Sequence, residues 1–169
     1  MKKYTVEDIK GFEKNEEGWI MCPAGDYTEI KSFPEGCSFG EDCRFGDNCR
    51  FSEWCGFGAE CGFGERCSFG KRCSFGENCR FGAECRFEGG HIAAPGYPVL
   101  TFSGFGSANR TTYAFNCKDG IVIRCGCFSG SLEEFREKVR ERHGNTPFAF
   151  EYLAVADLIE RRFSREEKA

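Results

Sequence analysis

Thirteen cysteines and two histidines are the side chains of this sequence with the most chemistry to offer. Zinc needs Cys or His ligands converging on a tetrahedron, usually from closely spaced pairs. Cys125-x-Cys127, with Cys117 across an expected hairpin and His143 further along, is the set nearest to that pattern. Small apolar thiols filling a hairpin core account for the same cysteines equally well. No phosphate-cradling loop, Ser-His-Asp ordering or paired-carboxylate signature accompanies them. The other ten cysteines raise a different question, because nine of them recur at one fixed interval.

From Cys37 to Phe87 one six-residue phrase, Cys-x-Phe then Gly and two variable residues, occurs nine times. Gly follows Phe in seven copies, with Ser52 and Glu88 as the exceptions. A fixed period of this kind is the mark of a solenoid. Cys and Phe stand two apart, so in an extended segment both point to one face and the residue between them points out. The glycine is expected to supply a positive φ at the corner that follows. The thiols then fill a core in parallel columns and do not converge on a metal. Stacked thiols about 4.8 Å apart would come within reach of disulfide formation.

The phrase resembles the hexapeptide repeat of left-handed parallel β-helices, with Phe at the usual aliphatic position and Cys at the small one. That resemblance implies three hexapeptides per triangular coil, so that residues 18 apart stack. The sequence offers an independent check: Cys37–Phe51 and Cys73–Phe87 differ at three of fifteen positions, at an offset of 36, which is two such coils. The pentapeptide-repeat helix shares the Cys-x-Phe flavour but requires period five. The expected fold is therefore mainly β: a short left-handed parallel β-helix of about three coils over 37–90, an N-terminal cap over 1–36, and a small α+β (ββαα) module over 91–169.

Stacking at 18 sorts the outward residues into three faces. One shows Ser38, Gly56 and Ser74, small and flat; the second Arg44, Gly62 and Arg80; the third Arg50, Ser68 and Arg86. Trp54 stands at a corner as an exposed aromatic suited to a contact. Proteins of the resembling class are commonly homotrimers, and three coils bury little alone. A homo-oligomer, trimer or dimer, meeting through the small face is expected.

Thr5 followed by Glu7 and Asp8 predicts a short helix start in the cap. After the repeat, Thr111–Cys117 and Ile121–Phe128 flank Lys118-Asp119-Gly120, a hairpin signal, and Tyr97–Phe102 reads as strand-like. Ser131 with Glu134 makes a capping box for a helix to about Arg142, ended by Gly144. Pro147 opens a second helix, with Phe148, Tyr152, Leu153, Ala156, Ile159 and Phe163 as its apolar face. The stretch from Cys125 to Phe135, together with His143-Gly144, resembles a small domain of uncharacterised phage and prophage proteins. That resemblance implies a setting and no activity.

Net charge is −4, which gives no electrostatic case for a nucleic-acid partner. No apolar run is long enough for a membrane span. Without an apolar leader at its start the chain is expected in a reducing cytoplasm, that of a bacterial host if the phage resemblance holds, with free thiols and no cofactor. The functional expectation is a non-catalytic binding protein, directed at a host defence protein or its small nucleotide signal. Two alternatives stand beside it. Many proteins of the resembling class are acyltransferases with a histidine base, which would make His91, in the Gly-rich break after the last coil, a candidate. The other is a zinc module at Cys117, Cys125 and Cys127.

Overall fold

The structure is a computed structural model that describes residues 1–166. The chain divides into two units, one spanning Met1–Pro98 and the other running from Val99. The expected boundary at 90/91 thus moves eight residues on, because 91–98 fold back onto the last coil: Ala93 N–H donates to Cys85 O at 2.8 Å and Gly96 N–H to Phe81 O at 3.0 Å.

The first unit is a parallel β-solenoid of about three turns. Its strands are β1 (Ile20–Cys22), β2 (Ser32–Phe33), β3 (Cys37–Phe39), β4 (Arg44–Phe45), β5 (Arg50–Phe51), β6 (Gly56–Phe57), β7 (Gly62–Phe63), β8 (Ser68–Phe69), β9 (Ser74–Phe75) and β10 (Arg80–Phe81). They form three parallel sheets, ordered β1-β3-β6-β9, β4-β7-β10 and β2-β5-β8. Within the repeat the register is 18 throughout, as Ser38↔Gly56, Arg44↔Gly62 and Arg50↔Ser68 show. All nine Cys and all nine Phe of the phrase are buried. The rings stack within a column, as in Phe45–Phe63 at 5.1 Å and Phe63–Phe81 at 4.8 Å. Between columns they meet edge to face, Phe57–Phe63 and Phe63–Phe69 both at 4.9 Å and 89°. Both arrangements suit the ring quadrupole, so the core is an aromatic lattice and not only a greasy one.

The glycines act differently from the expectation. The positive φ falls two residues later, at Asp42, Asn48, Trp54, Glu60, Arg66, Arg72, Asn78 and Glu84 (φ 55–61°). The glycine is required for closeness: a Cβ on Gly76 would lie 2.6 Å from Ala59 N and Gly58 C in the coil below. The thiols also do more than fill space. Cys61, Cys67, Cys79 and Cys85 Sγ reach the carbonyls of Gly40, Gly46, Gly58 and Gly64 at 3.2–3.4 Å. Each thiol donates to a corner carbonyl of the preceding coil.

The N-terminal segment supplies an irregular coil of its own. Thr5 and Asp8 form a capping box on α1 (Val6–Gly11). Asp26 bridges to Arg44 and Ser32 pairs with Arg50, again at offset 18, whereas Ile20 pairs with Cys37 at offset 17. Tyr27 takes the place of a repeat Phe, stacked on Phe45 at 5.6 Å, and Tyr4 stacks on Tyr27 at 4.9 Å. The cap therefore extends an aromatic column instead of merely covering it. Tyr27 is fully buried and its hydroxyl donates to Pro23 O at 2.6 Å; burial pushes its phenol pKa up.

The second unit is a four-stranded antiparallel meander, β11 (Val99–Phe102), β12 (Thr112–Cys117), β13 (Gly120–Cys125) and β14 (Phe128–Ser131), followed by α2 (Leu132–His143) and α3 (Pro147–Glu166). The expected ββαα is thus ββββαα. The strand-like run before the hairpin joins the sheet, and the run 121–128 breaks at Gly126 (φ 60°), where Cys125 pairs with Phe128. The capping box on α2 is present, with Ser131 N–H donating to Glu134 Oε2 at 2.7 Å, and it holds the Glu134 carboxyl below its usual range. On α3 the buried face is Ala149, Tyr152, Ala156, Ile159 and Phe163. Phe148, expected there, is 43 % exposed in the first turn, with its ring beside His143.

Candidate functional site

Stacking at fixed register turns the variable residue of each phrase into straight outward rows. The first row is Met21, Ser38, Gly56 and Ser74. Its three upper members are half-buried and small, and Met21 at its foot is 45 % exposed. The second row is Arg44, Gly62 and Arg80, the third Arg50, Ser68 and Arg86. In both, a small residue in the middle coil separates two exposed arginines. Two coil rises put those arginines about 9.6 Å apart along the row. Among the described residues, none of the four has a carboxylate within salt-bridge distance. Arg44 has the Asp26 carboxyl near enough to feel its charge; a guanidinium held in a fixed row without a close carboxylate is a ready fork for an external carboxylate or phosphate.

Trp54 occupies a corner position in the left-handed region and is 47 % exposed. The Arg72 guanidinium lies over its ring at 5.6 Å, a cation–π contact that limits its freedom. The groove beside it is lined also by Trp19, Pro34 and Glu35. Trp19 was not singled out by spacing, because it sits outside the repeat. The signal available was composition: the chain has two tryptophans, and both line this groove.

His91 is half-buried at the turn that closes the last coil. Its carbonyl accepts from Phe87 N–H at 2.9 Å and its ring packs against Gly89. The candidate zinc ligands are not brought together, which corrects that alternative. Cys117 pairs with Gly120 at the tip of the β12–β13 hairpin, while Cys125 lies opposite Thr112 at its other end. Cys127 is exposed in the β13–β14 turn, and the His143 ring stacks on Tyr152 at 5.4 Å. Among the described residues no group of three or more His, Cys, Asp or Glu side chains is placed to hold a metal ion. Burial pushes the Cys117 thiol up to about 12, so at neutral pH it is protonated and a poor nucleophile.

Fold and surface together define a class: a short parallel β-solenoid, aromatic inside and arginine-lined outside, carrying a small α+β unit. No protein-family model matches the chain, and no curated protein or solved structure matches it.

Proposed function

We propose that the protein is a non-catalytic binding protein whose solenoid holds recognition side chains in fixed rows. The observation that carries this reading is the set of four arginines without a close carboxylate, Arg44, Arg50, Arg80 and Arg86, on two faces of a chain whose net charge is −4. Arg136, with a mostly buried side chain, is by contrast held by Asp157 and Glu160, and exposed Arg66 by Glu65 at 3.5 Å. The six-residue period and the 18-residue register support assigning the solenoid to the left-handed hexapeptide type. The small row of Ser38, Gly56 and Ser74, with Met21 exposed at its foot, suits contact with a second copy of the chain. The phage resemblance of the sequence points the arginine rows toward a host protein with an acidic surface, or toward the phosphates of a nucleotide signal, in the host cytoplasm.

Two measurements test the reading. Light scattering of the wild-type chain at micromolar concentration should give a multiple of the monomer mass. Gly56→Arg should return it to the monomer, because a side chain there points outward and its Cβ meets only the Ser74 hydroxyl, at 3.2 Å. A monomeric wild type would remove the self-association. For the rows, Arg44→Glu/Arg80→Glu protein should lose whatever acidic partner the wild type retains from host lysate. Retention unchanged by the charge reversal would remove the arginine reading. Acetyl-CoA turnover abolished by His91→Ala would replace the proposal with the acyltransferase alternative.

A further inference from the structure

The second unit contains a half-open cavity of about 100 Å³ between the loop before β12, the β13–β14 turn and the start and end of the two helices. Its lining includes Arg110, Lys138 and Arg142 and not one aspartate or glutamate, in a chain where acidic residues outnumber basic ones by 27 to 23. Lys138 is committed to Glu141 at 2.7 Å. Arg110 and Arg142 have no carboxylate within salt-bridge distance among the described residues. A cation at Arg142 has a second reason to be there, since it lies in the last turn of α2, where the helix dipole favours positive charge. Arg110 has no such reason. It comes from the loop before β12, and its guanidinium lies over Gly126, where a Cβ would collide with it.

Four of the other eight lining residues are aromatic, beside Ser107, Ala108, Cys125 and Val139. Phe128 and Phe135 meet at 5.6 Å, and the His143 ring stacks on Tyr152 at 5.4 Å and 27°. Aromatic side chains, of which Phe135 and Tyr152 show only their edges, beside guanidinium groups without carboxylates suit an anionic head on a planar body. We propose that this cavity is a binding site for a small aryl anion, an aromatic ring bearing a phosphate or carboxylate, with Arg110 and Arg142 holding the head and the Tyr152, Phe128 and Phe135 rings the body. The proposal rests on the second unit alone and stands or falls separately from the solenoid rows.

Phenyl phosphate, benzoate, inorganic phosphate and phenol, titrated into the full chain by calorimetry, distinguish the contributions. Phenyl phosphate or benzoate should bind with a dissociation constant near or below the millimolar range, at least tenfold tighter than inorganic phosphate and than phenol. Arg110→Gln and Arg142→Gln should each weaken the aryl anion at least tenfold. Both residues are exposed, so the variants should keep the wild-type circular dichroism. Absence of binding by both aryl anions at ~10 mM, equal binding of inorganic phosphate, or affinity unchanged in both variants would overturn the proposal.

Discussion

A thiol at each corner of the solenoid combines two properties that other small side chains supply singly. It is apolar enough to sit between aromatic columns, and its S–H can reach a carbonyl that the turn leaves without a backbone donor. Cys79 shows the arrangement most simply, its sulfur 3.4 Å from Gly58 O. Cys79→Ala would leave that half-buried carbonyl without its donor and should cost roughly 1 kcal/mol in chemical denaturation. Cys79→Ser keeps a donor at the same position and should cost clearly less, although serine is the more polar side chain. If alanine proved the milder change, the thiol would be filler alone. The stacked thiols also act on one another: hydrogen bonding with Cys22, together with burial, pushes the Cys37 thiol up to about 12, whereas the hydrogen bond with Cys61 holds the Cys79 thiol below its usual value.

At the scale of the hexapeptide, much was legible in advance. Period six fixed which side chains point inward, and the near-identity of segments 36 residues apart implied the 18-residue stacking that Ser38↔Gly56↔Ser74 displays. Ser131-Leu132-Glu133-Glu134 marked the start of α2 because a capping box is purely local. The role of the repeat glycine was not legible, because the contact that demands it lies in another coil. Gly76 faces the backbone of Gly58 and Ala59, whereas Gly62, in a strand, has nothing within 4 Å. Gly76→Ala should therefore destabilise by about 1–3 kcal/mol or more, since backbone cannot move aside as a side chain can. Gly62→Ala should stay within about 0.5 kcal/mol of wild type. Thermal melts of the pair decide between close approach and conformational freedom, because a purely conformational role would penalise neither position, both having negative φ. The fourth strand of the second unit was missed for a similar reason. Gly126-Cys127 is a weak turn signal on its own, and only the pairing of Cys125 with Phe128 reveals it. The same applies to the aryl-anion cavity: Arg110, Arg142 and Tyr152 are far apart in sequence and carry no shared spacing.

On the scale of the whole chain, the two units have separate cores of different character. The solenoid is held by stacked rings and thiols in register, so each coil depends on its neighbours. The second unit closes on Ala114, Ile123, Leu132, Phe135, Val139, Ala149, Tyr152, Ala156, Ile159 and Phe163, every one from its own sequence. Optical probes divide along the same line. Both tryptophans, Trp19 and Trp54, lie in the first unit, while the two long helices, of 12 and 20 residues, lie in the second. Tryptophan fluorescence should therefore follow the solenoid in guanidinium, and the far-ultraviolet helical signal should follow the second unit. Ile159→Ala makes the test independent of accidental coincidence, because Ile159 is fully buried in the second core. It should lower the stability reported by the helical signal by about 2–5 kcal/mol and leave the fluorescence midpoint where it was. A fluorescence transition that moves with the helical one would mean that the two units unfold as one cooperative structure, and that the solenoid relies on more than its own coils and cap.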